Sequence, residues 1–246
     1  MRAEVTAASR CAVTATLATL AGLGPYFTAT TGDPGPGDWR PVRDLYDDAH
    51  ALAGVAGHVG ARIGSTEYRV AASTLFLGYA ARLWSLTLGG IVRAGILPDA
   101  DRLLWRDTDG RIDLHLAEPV GWGGTGLVDV ARQMVLDRHL APLVAAIRTV
   151  EPMSDRLLWG NAASALIGAA RMLDGASDTA AMRVAETMLR DSRLIDTVDR
   201  QGDGYRRRSC CLFYRTPVSG YCGDCALIPP HAPEPGEGSD PAKIGH

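Results

Sequence analysis

None of the common signatures of acid–base or phosphate chemistry occurs in these 246 residues. There is no G-x-S-x-G elbow, no H-E-x-x-H pair and no P-loop. Histidines are scarce: His50, His58, His115 and His139 are scattered without ligand spacing, so each reads as a surface or hydrogen-bonded structural residue. Asp47-Asp48 and the Asp107/Asp109 pair read as helix-face and turn residues. Lysine is almost missing, with Lys243 alone beside the arginines that make up the rest of the 25 basic side chains. A net charge of −3 leaves no general basic excess of the kind that marks nucleic-acid binding.

A long, purely apolar run is also lacking near the N-terminus. The uncharged stretch at 11–32 contains six threonines, three glycines and Pro25, and Glu4 interrupts the basic residues ahead of it. Neither a spanning helix nor a signal peptide is expected from such a stretch, so the expectation is a cytoplasmic protein without stable membrane insertion. Cys11 has no nearby partner and reads as a small buried residue or an incidental thiol.

What the chain does have is a concentration of cysteine. Four of its five cysteines, Cys210, Cys211, Cys222 and Cys225, form the pattern C-C-x10-C-x2-C. Disulfides are one reading, but a chain of this length has core enough to need no stapling, and adjacent cysteines pair only through a strained ring. Structural zinc is another, and it usually uses two C-x2-4-C knuckles, of which only Cys222-x2-Cys225 is present. Side chains of adjacent cysteines in an extended segment diverge, which suits a two-metal object better than one small ion. Geometry therefore leans toward a [2Fe-2S] cluster and leaves zinc open.

The flanks read Arg206-Arg207-Arg208-Ser209 before the first pair and Gly220-Tyr221 before C-G-D-C. Arg208 and its neighbours are candidates to offset the charge of four thiolates or to receive an anion; a solvated face is the competing reading. Gly223 is a candidate for turning backbone N–H groups toward sulfur, since glycine tolerates positive φ. Leu212, Phe213 and Tyr221 are candidate shields against water.

R-R-x-C-C-L-x-Y, a ten-residue gap and C-G-D-C together resemble the C-terminal segment of the FhuF-type ferric-siderophore reductase family. The stretches Leu23-Gly24-Pro25-Tyr26-Phe27 and Leu157-Leu158-Trp159-Gly160-Asn161 look like further portions of bacterial members. The resemblance implies a [2Fe-2S] cofactor on Cys210, Cys211, Cys222 and Cys225. It also implies one-electron reduction of a ferric siderophore, a cellular donor such as a ferredoxin or flavoprotein reductase, and no catalytic residues beyond the redox cluster. A non-enzymatic electron carrier or redox sensor, and a zinc-stabilised binding module, are the alternative functions.

The expected fold is mainly α. A stripe of Val70, Thr74, Leu77, Ala81, Trp84, Leu88 and Ile91 recurs at spacings of four and three, which predicts one long central helix with Phe76, Tyr79 and Leu83 widening its face. Further helical patterns cover about 41–60, 126–150, 155–174 and 178–199, with Pro142 dividing or restarting the second. Alternation at 111–116 after a D-T-D-G turn predicts a small β-hairpin. Gly121-Trp122-Gly123-Gly124-Thr125-Gly126 satisfies G-x-G-x-x-G, but the strand before it is amphipathic and Glu118-Pro119 intervenes. A loop at a substrate mouth is expected there rather than a nucleotide site. The expected division is a helical body at 1–200, a cluster-binding segment at 201–228 and a disordered tail at 229–246.

Overall fold

The structure, a computed structural model, describes residues 4–174, 179–202, 204–217 and 220–228. The tail expected at 229–246 lies outside the described residues. In chain order the elements are β1 (Val5–Ala7), α1 (Arg10–Ala21), β2 (Thr30–Thr31), β3 (Arg40–Pro41), α2 (Asp44–Asp47), α3 (Ala49–Ile63), α4 (Tyr68–Ala94), β4 (Leu97–Pro98), β5 (Leu104–Thr108) and β6 (Arg111–Leu116). There follow β7 (Gly121–Gly124), α5 (Leu127–Gln133), α6 (Ala141–Val150), α7 (Asp155–Leu173), α8 (Ala180–Met188), β8 (Val198–Gln201) and β9 (Gly204–Arg207). The protein is mainly α, with small sheets beside the helices and the cysteines in its C-terminal region.

Helix α4 is the axis of the core. Val70, Trp84 and Leu88 of the expected stripe are fully buried, while Thr74, Leu77, Ala81 and Ile91 are only partly so. The deepest face instead runs through Ala72, Phe76, Tyr79 and Leu83, because α3 and α7 both pack against this helix. Trp84 Nε1 donates to the carbonyl of Ala162 on α7 at 3.1 Å, which satisfies the indole and ties the two helices. By length and apolar composition α4 could cross a membrane, yet 72% of its most apolar window is buried inside the fold.

Three helical expectations change in detail. The pattern at 41–60 is broken at Asp48, whose carboxylate accepts from the amides of His50 (2.9 Å) and Ala51 (3.2 Å) and starts α3 afresh. Between α5 and α6 the chain stays helical through a π-helical stretch, Met134–Leu140, and Pro142 falls in the first turn of α6, where its missing N–H costs nothing. The pattern at 178–199 ends at Met188 instead. Asp191 engages Arg132 and Arg193, the chain turns, and residues 198–201 pair with 204–207 as the antiparallel β8–β9 hairpin.

The expected β5–β6 hairpin forms, with Asp107 opposite Ile112 and Thr108 opposite Arg111. The glycine-rich stretch, expected as a loop, is the strand β7, seated between β1 and β4. A Cβ on Gly124 would stand 2.2 Å from the Glu4 carbonyl, and one on Gly121 would stand 2.5 Å from that of Leu97. These glycines allow backbones to approach closely and have no need of a phosphate.

Candidate metal centre

The cysteine segment leaves β9 and lies against α4 and α7. Cys211 (4% exposed) and Cys225 (5%) are buried, whereas Cys210 and Cys222 are half-buried. The Sγ atoms of Cys211 and Cys222 stand 3.8 Å apart, well beyond a disulfide bond of about 2.05 Å. Among the described residues no three His, Cys, Asp or Glu side chains converge tightly enough to hold a single metal ion. Cys11, on α1, is exposed and far along the chain from the other four.

Backbone amides aim at two of the sulfurs. Leu212 N donates to Cys210 Sγ at 3.3 Å, and Leu227 N donates to Cys225 Sγ at 3.4 Å. Leu212, whose amide reaches Cys210, adopts φ = 69°, a left-handed conformation unusual for a leucine. Gly223 does not take positive φ, and a Cβ there would meet nothing within 4 Å. The left-handed residue beside the sulfurs is thus Leu212, although sequence reasoning placed it at Gly223.

The three consecutive arginines separate completely. Arg206 donates from Nη2 to the carbonyl of Ala226 at 2.7 Å and from Nε to that of Cys225 at 3.3 Å, holding the end of the C-G-D-C turn. Arg208 points outward to Asp199, with Nη2 2.5 Å from its carboxylate, and so serves a surface ion pair. Arg207 turns inward: it is 3% exposed, and Nη2 donates to Cys211 Sγ at 3.5 Å and also contacts Cys222 Sγ.

A polar frame surrounds the Arg207 guanidinium. Nη1 donates to Asn161 Oδ1 at 2.9 Å, and Nη2 lies 3.0 Å from the Asp224 carboxylate, which in turn accepts from Ser164 Oγ at 2.6 Å. Asn161 Nδ2 donates to Ser73 Oγ at 2.9 Å, and Ser73 Oγ donates to the Cys211 carbonyl at 2.6 Å. α4, α7 and the cysteine segment are thereby joined through Ser73, Asn161 and Arg207, all buried, with Ser164 and Asp224 partly so. Next to Asn161, Gly160 lets the segment come close. A Cβ there would sit 2.5 Å from Ser209 Oγ, which donates to the Arg156 carbonyl at 2.9 Å.

Burial works against the charge of Arg207, but Asp224, Cys211 and Cys222 together raise its pKa. The Cys211 thiol is held well below its ordinary value, first by the hydrogen bond from Cys222 and then by Arg207. Donating that bond pushes Cys222 up, and burial pushes Cys210 up. The frame stabilises negative charge shared by Cys211 and Cys222 beside Arg207.

The outer edge of the site carries aromatic residues. Tyr214 and Tyr221 stack with ring centroids 6.4 Å apart, and both are exposed along with Leu227. Leu212 and Phe213 pack partly buried against the core, so they can exclude water, whereas Tyr221 faces solvent. Two of the scattered histidines lie inside the fold: His115 is 2.7 Å from Thr30 Oγ1, and His139 is fully buried with Tyr46 and Tyr79, whereas His50 and His58 are exposed.

Sequence reasoning missed Ser73 and gave no role to Asn161 or Asp224, and it named Arg207 only within a run of three in which Arg208 was singled out. The first two are polar residues inside apolar helical runs, a signal that a buried partner is needed. Arg207 was legible only to a reader who recognised β9, since strand alternation is what turns one arginine of the three inward.

Residues 207–227 match the FhuF 2Fe-2S C-terminal domain. No curated protein matches the chain. The matched residues begin at Arg207 and include all four cysteines of the segment, and the cofactor they indicate is a [2Fe-2S] cluster. The chemistry of the donors fits it: thiols within reach of amide N–H groups and one buried guanidinium whose Nε has no hydrogen-bond partner among the described residues.

Proposed function

We propose that this iron–sulfur protein is a cytoplasmic ferric-siderophore reductase in which Cys210, Cys211, Cys222 and Cys225 hold the cluster. The observation that carries the reading is the FhuF 2Fe-2S segment itself, in a chain whose sequence carries no acid–base motif to compete with it. A bound [2Fe-2S] cluster supplies one electron at a time.

The residues around it have distinct tasks. Arg207 balances negative charge on Cys211 and Cys222, and Asn161 and Asp224 keep its guanidinium in place. Leu212 and Phe213 limit water on the core side, while half-buried Cys210 and Cys222 leave an open edge beside Tyr214 and Tyr221. That edge admits a cellular electron donor, a ferredoxin or flavoprotein reductase. Neither nucleic acid nor stable membrane insertion enters the proposal.

The chemistry of release follows from the metal. Ferric iron is a hard cation held by hard oxygen ligands; on gaining one electron it becomes ferrous iron, which those ligands hold far more weakly. No proton needs to be moved at a fixed atom, in keeping with the lack of an acid–base pair.

Mixing the anaerobically reduced protein with ferric siderophores, with a ferrous-specific chelator present, tests the reading. Recovery of the oxidised visible spectrum together with ferrous capture is the expected result. A stable reduced spectrum with every ferric complex tried returns the protein to the electron-carrier or sensor class.

A further inference from the structure

Two adjoining hollows of about 270 and 250 Å³ share Arg82 and Arg111 in their walls. The first lies between α3, α4 and the β5–β6 hairpin and includes Arg62 and Phe213; the second adds Trp39, Arg106 and Asp113. The charged residues of the two walls are Arg62, Arg82, Arg106 and Arg111 against Asp113, a net charge of +3 in a chain whose total is −3.

Asp113 is already engaged, by Arg106 and Arg111 at 3.3 Å each and by Thr108 at 2.9 Å. Among the described residues neither Arg62 nor Arg82 has a carboxylate within ion-pairing distance. Arg62 reaches only the Gly110 carbonyl, at 3.4 Å. Arg82 is 8% exposed, donates to the Pro25 carbonyl at 2.7 Å and lies over the Tyr26 ring at 5.4 Å. Burial presses this guanidinium to lose charge; Tyr26 and Asp113 oppose that pressure, and the weaker effects of Arg111 and Arg62 add to it. A cation taken out of water without a counter-charge is costly, and oxygen anions are the ligands that guanidinium forks bind best.

The hollow also shares structure with the cysteine segment. Phe213, in its wall, follows Cys211 by two residues, and Thr74, also in its wall, follows Ser73, which donates to the Cys211 carbonyl. A ligand in this place lies against the residues that carry the cysteines.

We propose that the cleft around Arg62, Arg82 and Arg111 seats the anionic oxygen arms of the ferric chelate, so that the protein prefers polyanionic catecholate or carboxylate siderophores over neutral ones. The inference rests on the reductase reading, and gallium(III) complexes separate the two, because gallium(III) accepts no electron under these conditions. The full-length, cluster-loaded protein is titrated by calorimetry with a gallium(III) tris-catecholate of net charge −3 and with a neutral gallium(III) tris-hydroxamate.

The anionic complex is expected to bind at least ten times more tightly, and its affinity to fall as salt is raised. Arg62 and Arg111 are exposed, so the double variant Arg62→Gln/Arg111→Gln keeps the fold, which circular dichroism and the cluster spectrum verify. In that variant binding is expected to weaken about tenfold or more. Equal affinity for both complexes, no binding of the anionic one, or unchanged affinity in the double variant overturns the proposal and leaves the iron–sulfur reading intact. Tight gallium(III) binding by protein that then fails to reduce the ferric complex overturns the reductase reading alone.

Discussion

Arg207 Nη1 donates at 2.9 Å to Asn161 Oδ1, a residue 46 positions earlier in the chain. Asn161 closes a loop of hydrogen bonds through Ser73 back to the Cys211 carbonyl. The cysteine segment is therefore registered on α4 and α7 by polar contacts inside the core, where a one-residue slip would leave several groups unpaired.

Replacing Arg207 should shift the reduction potential of the protein. In Arg207→Gln a unit of positive charge is lost beside Cys211 and Cys222, which favours the oxidised, more positive cluster core. The potential is expected to fall by roughly 100 mV, from Coulomb's law at an effective dielectric of about 20. Arg208→Gln, which loses only surface pairs with Asp199 and Asp196, should shift it far less. Spectroelectrochemical titration checks both, and equal shifts in the two variants would contradict the assignment of Arg207 as the inward arginine.

Truncating Asn161 should loosen the whole segment. Asn161→Ala removes the buried acceptor of Arg207 Nη1 and one of the hydrogen bonds to Ser73 Oγ, at a cost of about 1–3 kcal/mol in stability. Thermal or urea unfolding gives the number, and iron content after purification shows whether the segment still assembles. Gly160→Ala should show a smaller loss in the same assay, because Ser209 Oγ can rotate away only by giving up its bond to the Arg156 carbonyl.

Iron and acid-labile sulfide should each be found at about two per chain in anaerobically purified protein, the content of one [2Fe-2S] cluster. Cys222→Ser or Cys225→Ser should remove the visible spectrum and both elements. Cys11→Ser should change neither, because Cys11 lies exposed on α1. Zinc in place of iron in the unmutated protein would remove the redox reading at its root.

Acid should weaken the turn that follows α8. Arg193 and then Arg132 hold the Asp191 carboxyl down to about 2, against an ordinary value of 3.8. A depressed folded-state pKa contributes stability that is complete above about pH 4 and is lost as pH falls toward 2. The contribution is on the order of 1–2 kcal/mol after allowance for solvent screening. Asp191→Asn should lower stability at pH 7 and flatten its dependence on pH between 4 and 2. Since Arg193 also stacks on Trp159 at 5.3 Å, the variant should disturb the helix that carries Asn161 as well.

Much of the architecture was legible without coordinates. The heptad-like spacing from Val70 to Ile91 announces α4, and the D-T-D-G turn announces the β5–β6 hairpin, because both are periodicities of local structure. The end of the last helix was not legible. Residues 189–199 carry a helical pattern, and it is the Asp191 ion pairs and the β8–β9 pairing that override it. Nor was the role of the glycines at 121–126, since close approach between β7 and its neighbours is a property of the sheet.

The candidate site divides along the same line. The four cysteines and their spacing were written in the linear order of the chain, because ligand spacing within a short segment is a local matter, and the resemblance of that segment to a known family implied the cofactor. Which of three adjacent arginines meets sulfur, which backbone amide turns to it, and that Ser73 and Asn161 support it from two distant helices were decided only by the packing. The contacts of Ser73 and Asn161 join residues 46 to 138 positions apart, and no local pattern encodes which buried polar group will find which partner.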